Sequence, residues 1–395
     1  MSGYGIINRV RTVGPSVKTE RKMKIIHTAD LHLDSSMKTH LEGEKALKRK
    51  DELTLNFTRL CESAGDLGVK AIIIAGDLFD TKSVAKKVAS IVLTQINKYK
   101  DIDFYYLRGN HDRESFISFI KGNGDVPANF HMFEDSWTSY VLNPASTGKK
   151  IKLYGAEFND NVSSLMKLFT ADFDDINIVT LHGQENEYKG KDKTETVPIS
   201  ELRGRGIDYL ALGHVHEYKL KTLDSRGVYC YSGCLEGRGF DECGDHGFVL
   251  LDVDEEKGDI IPQFVDFAYR KLHTLDVDIS GLDNSGEIIE KVKIDLFSKR
   301  YSERDMIKIR LVGNVDENAE VNENLIAASV MNDFFFVKVK NESLVSVDYR
   351  KYALDESLKG FFIRLVEESD EIDEETKGQI VRMGLRALSG EEIIQ

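Results

Sequence analysis

The chain has 395 residues, 41 % of them hydrophobic and 30 % charged, and a formal net charge of −14. That length suits two or three domains with sizeable cores, and the acidic balance counts against a simple basic nucleic-acid binder. No apolar run approaches the roughly 20 residues that span a bilayer, and residues 1–22 are polar and moderately basic, without the apolar stretch of a secretory signal.

Residues 1–22 read as a disordered extension outside the fold. KIIHTA (24–29) reads as a buried strand. Residues 43–67 read as a helix, with Leu47, Leu53, Leu55, Phe57, Leu60 and Leu67 among many charges. VKAIIIA (69–75) is a second buried strand. Val84, Val88, Ile91, Val92 and Ile96 form the stripe of a helix over 83–98. DFYYL (103–107), KLYGAEF (152–158), INIVTL (176–181) and DYLALG (208–213) follow as strands. Then come the hairpin-like YCYSG (229–233) and GFVLLDV (247–253). Strands alternate with helices early and dominate later, which predicts an α/β sandwich of two sheets flanked by helices.

Composition shifts near residue 270. Beyond it the pattern reads strand (272–279), helix (284–299), strand (306–312), helix (320–331), strand (334–340). That is a small α/β unit of βαβαβ form over 271–345. Residues 346–395 read as a helical segment. There Leu354, Leu358, Phe361, Phe362, Leu365 and Val366 recur at helical spacing as one stripe. The acidic run Glu367 to Glu375 breaks it from a second helix carrying Ile380, Met383, Leu385 and Leu388. Expected domains are therefore 23–270, 271–345 and 346–395.

The four cysteines are too few for a disulfide framework. Cys230, Cys234 and Cys243 lie close in sequence but lack a CxxC knuckle, so reduced cysteines and a cytoplasmic location are favoured over a zinc site.

Five short motifs each follow a predicted strand. They are Asp30-Leu31-His32, Gly76-Asp77-Leu78-Phe79-Asp80, Gly109-Asn110-His111-Asp112, Leu181-His182-Gly183 and Gly213-His214-Val215-His216. Strand carboxyl ends converge on one sheet edge, so five loops deliver Asp, His and Asn to one place. Carboxylate, imidazole and amide oxygen suit two divalent ions such as manganese, iron or zinc. Asp77 can bridge both through its two oxygens, and ions about 3.5–4 Å apart can activate water and clamp a phosphate. A lone histidine would ordinarily be a core residue. Here five of the ten histidines sit at strand ends beside acids and an amide.

These motifs resemble the calcineurin-like metallophosphoesterase superfamily over roughly residues 23–270. The resemblance implies that Asp30, His32, Asp77 and His216 hold one metal, and Asp77, Asn110, His182 and His214 the other. His111 would face the phosphate and protonate the leaving oxygen, oriented by Asp80. HTADLHLD (27–34), GDLFD (76–80) and YSGCLEGRGFDE (231–242) are most similar to SbcD-type DNA repair nucleases. Such proteins carry a small α/β cap and then a helical segment, the layout read here. The resemblance implies manganese as the metal, an SbcC-type coiled-coil ATPase as partner, and a homodimer. Arg108 and Arg113 flank the third motif and are candidates to contact DNA phosphates. Lys82, Lys86, Lys87, Arg203, Arg205 and Arg238 are weaker ones. A phosphodiesterase for small nucleotides and a partner-binding scaffold are the competing readings. The 120-odd residues after 270 speak against the first, and the complete ligand set against the second.

Overall fold

The computed structural model describes residues 22–37, 41, 43–80, 83–112, 115–146, 148–157, 162–185, 196–316, 319–346 and 349–388. The expected extension thus lies outside the described residues, except for Lys22, which opens the first strand. Two compact units emerge. One holds residues up to Ser35, Phe57–Gly233 and Phe248–Val265; the other holds Ser36–Asn56, Cys234–Gly247 and Asp266–Gln395.

The first unit is a sandwich of two six-stranded sheets flanked by helices, as the strand and helix pattern predicts. One sheet runs in the order Asp259–Asp266, Gly247–Asp254, Lys22–Thr28, Ala71–Ala75, Asp103–Leu107, Phe130–Met132. The other runs Lys219–Thr222, Val228–Tyr231, Tyr209–Gly213, Ile176–His182, Ile151–Gly155, Thr138–Val141. Strands Ala71–Ala75, Ile176–His182 and Tyr209–Gly213 are buried throughout, which is why they read as continuous apolar runs.

Alternation along each strand supplies two layers of core. Ile25, Ile73 and Leu107 of one sheet join Leu153, Ile178 and Ala211 of the other between the sheets. The opposite face of the second sheet, through Val179, Leu181, Leu210 and Leu212, packs on Met166, Phe169, Ile199 and Leu202. Each fully buried side chain of this kind contributes about 1.5–3 kcal/mol.

Strand pairing departs from the sequence expectation in one place. YCYSG and GFVLLDV do not form a hairpin. Val228–Tyr231 pairs antiparallel with Lys219–Thr222, whereas Gly247–Asp254 crosses to the other sheet and pairs with Lys22–Thr28. Local apolar pattern marks a strand but not its partner. The helix expected over 83–98 covers Lys86–Lys98.

In the second unit, strands Leu272–Asp278, Met306–Val312 and Phe336–Asn341 form a parallel sheet. Helices Ser285–Lys299 and Glu323–Val330 bury Ile288, Val292, Ile326 and Val330 in the same core. Asn284 and Asn322 cap them, their side chains accepting from backbone N–H groups of the first turn. A buried ion cluster lies elsewhere in this unit. Arg49 reaches Glu52 and Glu236 at 2.9 and 2.7 Å, and Arg270 reaches Glu52 at 2.6 Å.

Helices Leu358–Glu367 and Glu374–Leu388 close the described chain. The single stripe expected over 354–366 is split. Ile363 and Val366 are buried with Tyr352, Val381 and Leu385. Leu354, Leu358, Phe361 and Leu365 are exposed. The acidic run does not separate the helices to its end, because Glu374 and Glu375 form the first turn of the second, where acids suit the helix dipole.

Candidate metal centre

All five motif loops lie in the first unit, at the carboxyl ends of parallel strands from both sheets. The first two loops are laced together. Asp30, His32 and Leu33 donate their N–H groups to the Gly76, Asp77 and Leu78 carbonyls at 3.1, 3.0 and 2.9 Å. The turns are tight enough to force left-handed backbone at Asp30 (φ 53°), His32 (45°), Asp77 (51°) and His214 (91°). Asp and His tolerate this region better than most residues, and such outliers gather at functional sites. Gly76, at φ 92°, and Gly109 allow close approach. A Cβ on the first would overlap the His182 ring and on the second the Asp77 carboxylate.

Three groups of ligand-type atoms converge, each within 4.8 Å: Asp30 with His32 and His216, Asp30 with Asp77 and His182, and His32 with Asp80 and His111. The Asp30 carboxylate also accepts the His214 N–H at 2.9 and 3.0 Å. Asn110 joins through its side-chain oxygen, 3.1 Å from His182 Nε2. His214 lies beside His182, ring centroids 5.3 Å apart.

The donor set fits divalent cations on its own chemistry. His182 Nδ1 donates to the Ala75 carbonyl at 2.9 Å, which turns Nε2 toward two acceptors, Asn110 Oδ1 at 3.1 Å and Asp77 Oδ2 at 3.4 Å. Something positive must sit at that nitrogen, either a proton or a metal. His32 Nε2 and His216 Nε2 likewise face each other at 3.1 Å. Asp80 Oδ1 lies 3.2 Å from His32 Nδ1 and 3.3 Å from His111 Nδ1. It therefore orients both rings, leaving Nε2 of His32 directed at the cluster and Nε2 of His111 for other chemistry.

Charge at the site follows the same logic. Burial raises the Asp77 carboxyl, but His182 and His32 outweigh it and hold it well below the usual range. Burial opposes protonation of His182, yet Asp77 raises it to about 10. Burial and the Asp77 charge push Asp112 up to about 7. A metal ligand must be neutral imidazole, so an ion held by His182 would displace its proton. Binding there should release about one proton per chain near pH 7 and tighten as pH rises toward about 10. Calorimetry in two buffers of different ionisation enthalpy measures this release. Identical heats in both, with pH-independent affinity, would exclude His182 as a ligand.

Asp112 carries a role that its sequence position alone does not declare. It is buried and accepts from Leu78, Phe79 and Gly109 N–H groups at 3.2, 2.9 and 3.0 Å, tying the second loop to the third. Its place in the same tetrapeptide as His111 is the available signal. Glu157, which no motif marks, takes both Nε and Nη2 of Arg108, at 2.8 and 2.6 Å. Arg113 and Lys82 lie outside the described residues. Lys86 and Lys87 are exposed on the first turn of their helix, where cations oppose the helix dipole. Arg205 donates to the Glu201 carbonyl at 3.2 Å, Arg203 is exposed, and Arg238 of the second unit pairs with Glu242 at 3.3 Å.

Residues 23–218 match the family described as calcineurin-like phosphoesterase. The chain carries a calcineurin-like metallophosphoesterase domain. Three relatives bear on it. The uncharacterized metallophosphoesterase YhaO of Bacillus subtilis is 28 % identical over 73 % of this chain and 71 % of its own. The DNA double-strand break repair protein Mre11 of Saccharolobus solfataricus is 21 % identical over 94 % of this chain and 97 % of its own. The SbcD polypeptide of the nuclease SbcCD from Staphylococcus epidermidis is 24 % identical over 60 % of this chain and 67 % of its own. Family and site together support a metal-dependent hydrolase. Among the described residues no helix is long and apolar enough to cross a membrane.

Proposed function

We propose that this metallophosphoesterase is a manganese-dependent, SbcD-type nuclease that hydrolyses DNA phosphodiester bonds during double-strand-break repair or recombination. It would work in the cytoplasm as a homodimer with an SbcC-type ATPase. The observation that carries the reading is the convergence of Asp30, His32, Asp77, His182 and His216 beside His111, in a chain that aligns along 94 % of its length with a DNA repair relative. We assign Asp30, His32, Asp77 and His216 to one metal and Asp77, Asn110, His182 and His214 to the other. Along the sequence, we propose residues 23–270 as the catalytic segment, 271–345 as the cap and 346–395 as the partner-binding segment, although the two compact units divide the chain differently. When bound, the ions supply positive charge for the phosphate and lower the pKa of the attacking water. The chain's own residues do the rest. Asp77 would be shared by both ions, and its Oδ1 accepts the His111 N–H at 2.9 Å. His111 is 45 % exposed at its side chain, so it can meet substrate and give a proton to the leaving oxygen while Asp80 holds its Nδ1. Arg108, and Arg113 with it, would hold the strand through its phosphates.

End-labelled linear duplex incubated with the full chain and manganese tests this, alone and with a coiled-coil ATPase. Labelled nucleotides should be released, chelator should stop their release, and magnesium should restore it less well because imidazole-rich sites favour manganese. Hydrolysis of small phosphodiesters with no attack on DNA under any of these conditions would sink the nuclease reading.

The exposed Leu358, Phe361 and Leu365 share one face of their helix, the pattern of a groove-docking helix. This face is assigned to the ATPase. Phe361 is 60 % exposed, so Phe361→Glu should leave thermal stability and small-diester hydrolysis within error while co-purification with the ATPase is lost. Deletion of residues 350–395 should do the same to ATP-dependent cleavage of duplex. Retained co-purification by Phe361→Glu removes this face from the interface.

A further inference from the structure

The three-stranded sheet of the second unit is covered by helices on one face only. Its strands are parallel, and helices Ser285–Lys299 and Glu323–Val330 pack on the face that carries Leu275, Val277, Ile309 and Leu311. Alternation turns the intervening residues the other way. There Leu272, Met306 and Phe336 form a first row, which packs on Leu41 and Ala46. The next two rows are open. The second is Thr274, Lys308 and Lys338; the third is Asp276, Arg310 and Lys340. Thr274, Asp276, Lys338 and Lys340 are exposed, and Lys308 and Arg310 are half-buried.

These rows set cation beside cation. Lys308 neighbours Lys338, and Arg310 neighbours Lys340, on strands about 4.8 Å apart. Like charges facing each other across strands destabilise a sheet. In the third row the repulsion is relieved. Arg310 Nε donates to Asp276 at 2.6 Å, its Nη1 lies 3.4 Å from Glu342, and Lys340 pairs with Glu342 at 3.0 Å. In the second row it is not. Both carboxylates beside these rows are engaged by the third, and among the described residues Lys308 and Lys338 form no ion pair of their own. Lys45, 5.8 Å from the centre of the Phe336 ring, adds a further cation at the first row.

A face that keeps an uncompensated pair of cations suits a polyanion. Two observations decide which kind. Protein interfaces are built around an apolar core, and neither open row carries an apolar side chain. Single strands are held by stacking their bases on rings, and neither open row carries a ring. What the rows offer is charge alone, which is what the phosphates of a duplex require. We propose that this open sheet face binds duplex DNA through its backbone phosphates, with Lys308 and Lys338 as the central contacts and no reading of sequence. The inference rests on the nuclease reading and gives it a binding surface outside the metal centre.

The test is the anisotropy of a labelled duplex titrated with the full chain over a series of salt concentrations. Chelator is present so that no cleavage intervenes. Each phosphate contact contributes about 0.9 to the slope of log affinity against log salt. Replacing both lysines, by Lys308→Gln with Lys338→Gln, should lower that slope by about 1.8 and weaken binding by about tenfold or more at about 0.15 M salt, equally for duplexes of different sequence. The same protein should melt no lower than the wild type, because a like-charge pair has been removed, and should hydrolyse a small phosphodiester with manganese at the wild-type rate. Lys308→Arg with Lys338→Arg keeps the charge and should bind as the wild type does. Poly-L-glutamate serves as the probe for an acidic protein. An unchanged slope and affinity in the glutamine variant overturns the DNA face and leaves the nuclease reading standing. So does a loss as large in the arginine variant, or a loss seen with poly-L-glutamate and not with duplex, which would assign the lysines to an acidic protein. Duplex binding that falls as expected, in a chain that cleaves no DNA when manganese is supplied, keeps the face and sinks the nuclease reading instead.

Discussion

Asp77→Asn is expected to cut hydrolysis by about a thousandfold or more and to strip metal from the purified protein. The side chain is buried and central. Its Oδ2 lies 3.4 Å from His182 and 3.9 Å from His32, so it faces ligands assigned to both ions. Asparagine keeps the volume but removes the charge that two cations need between them. Metal-ion stabilisation of a transition state is worth several kcal/mol, and about 4 kcal/mol is a factor of a thousand. Elemental analysis and initial rates measure both effects. An Asp77→Asn protein that keeps its full metal content and its turnover would disprove the shared-ligand assignment.

His111→Ala is expected to behave differently. Turnover should fall by about 10²–10⁴, the usual worth of a general acid, while metal content stays at the wild-type level. The residue donates its backbone N–H, not its ring, to Asp77, and its ring nitrogen turns to Asp80. The deficit should shrink for a nitrophenyl diester, whose leaving group departs without a proton. A variant that loses metal, or one whose deficit is the same for good and poor leaving groups, rules out the acid role.

Much of this architecture is legible in the sequence for a physical reason. The sheets of the first unit are parallel where it matters, so their central strands are buried on both faces and read as unbroken apolar runs such as AIIIA at 71–75. The candidate ligands follow directly at the strand ends, where residue type alone advertises chemistry. What the sequence hides is pairing and support. Nothing local says that Gly247–Asp254 lies beside Lys22–Thr28. Asp112 and Glu157 act through backbone N–H groups and a guanidinium brought close only by folding, so no spacing rule announces them. The C-terminal stripe divides because helical spacing groups apolar residues without saying which arc is covered; Ile363 is buried and Phe361 is not.

The bonds that span the metal loops also bear on how the protein is made. His214 donates to Asp30 across 184 residues, and His182 reaches Ala75 across 107. Closing loops this long costs entropy before any contact repays it, and chain leaving the ribosome folds from its amino end. The first three motifs are synthesised more than a hundred residues before His214 and His216 appear. The two sites proposed above therefore stay one ligand short until residues 214 and 216 have been made, so the full set of candidate ligands comes together only late in synthesis.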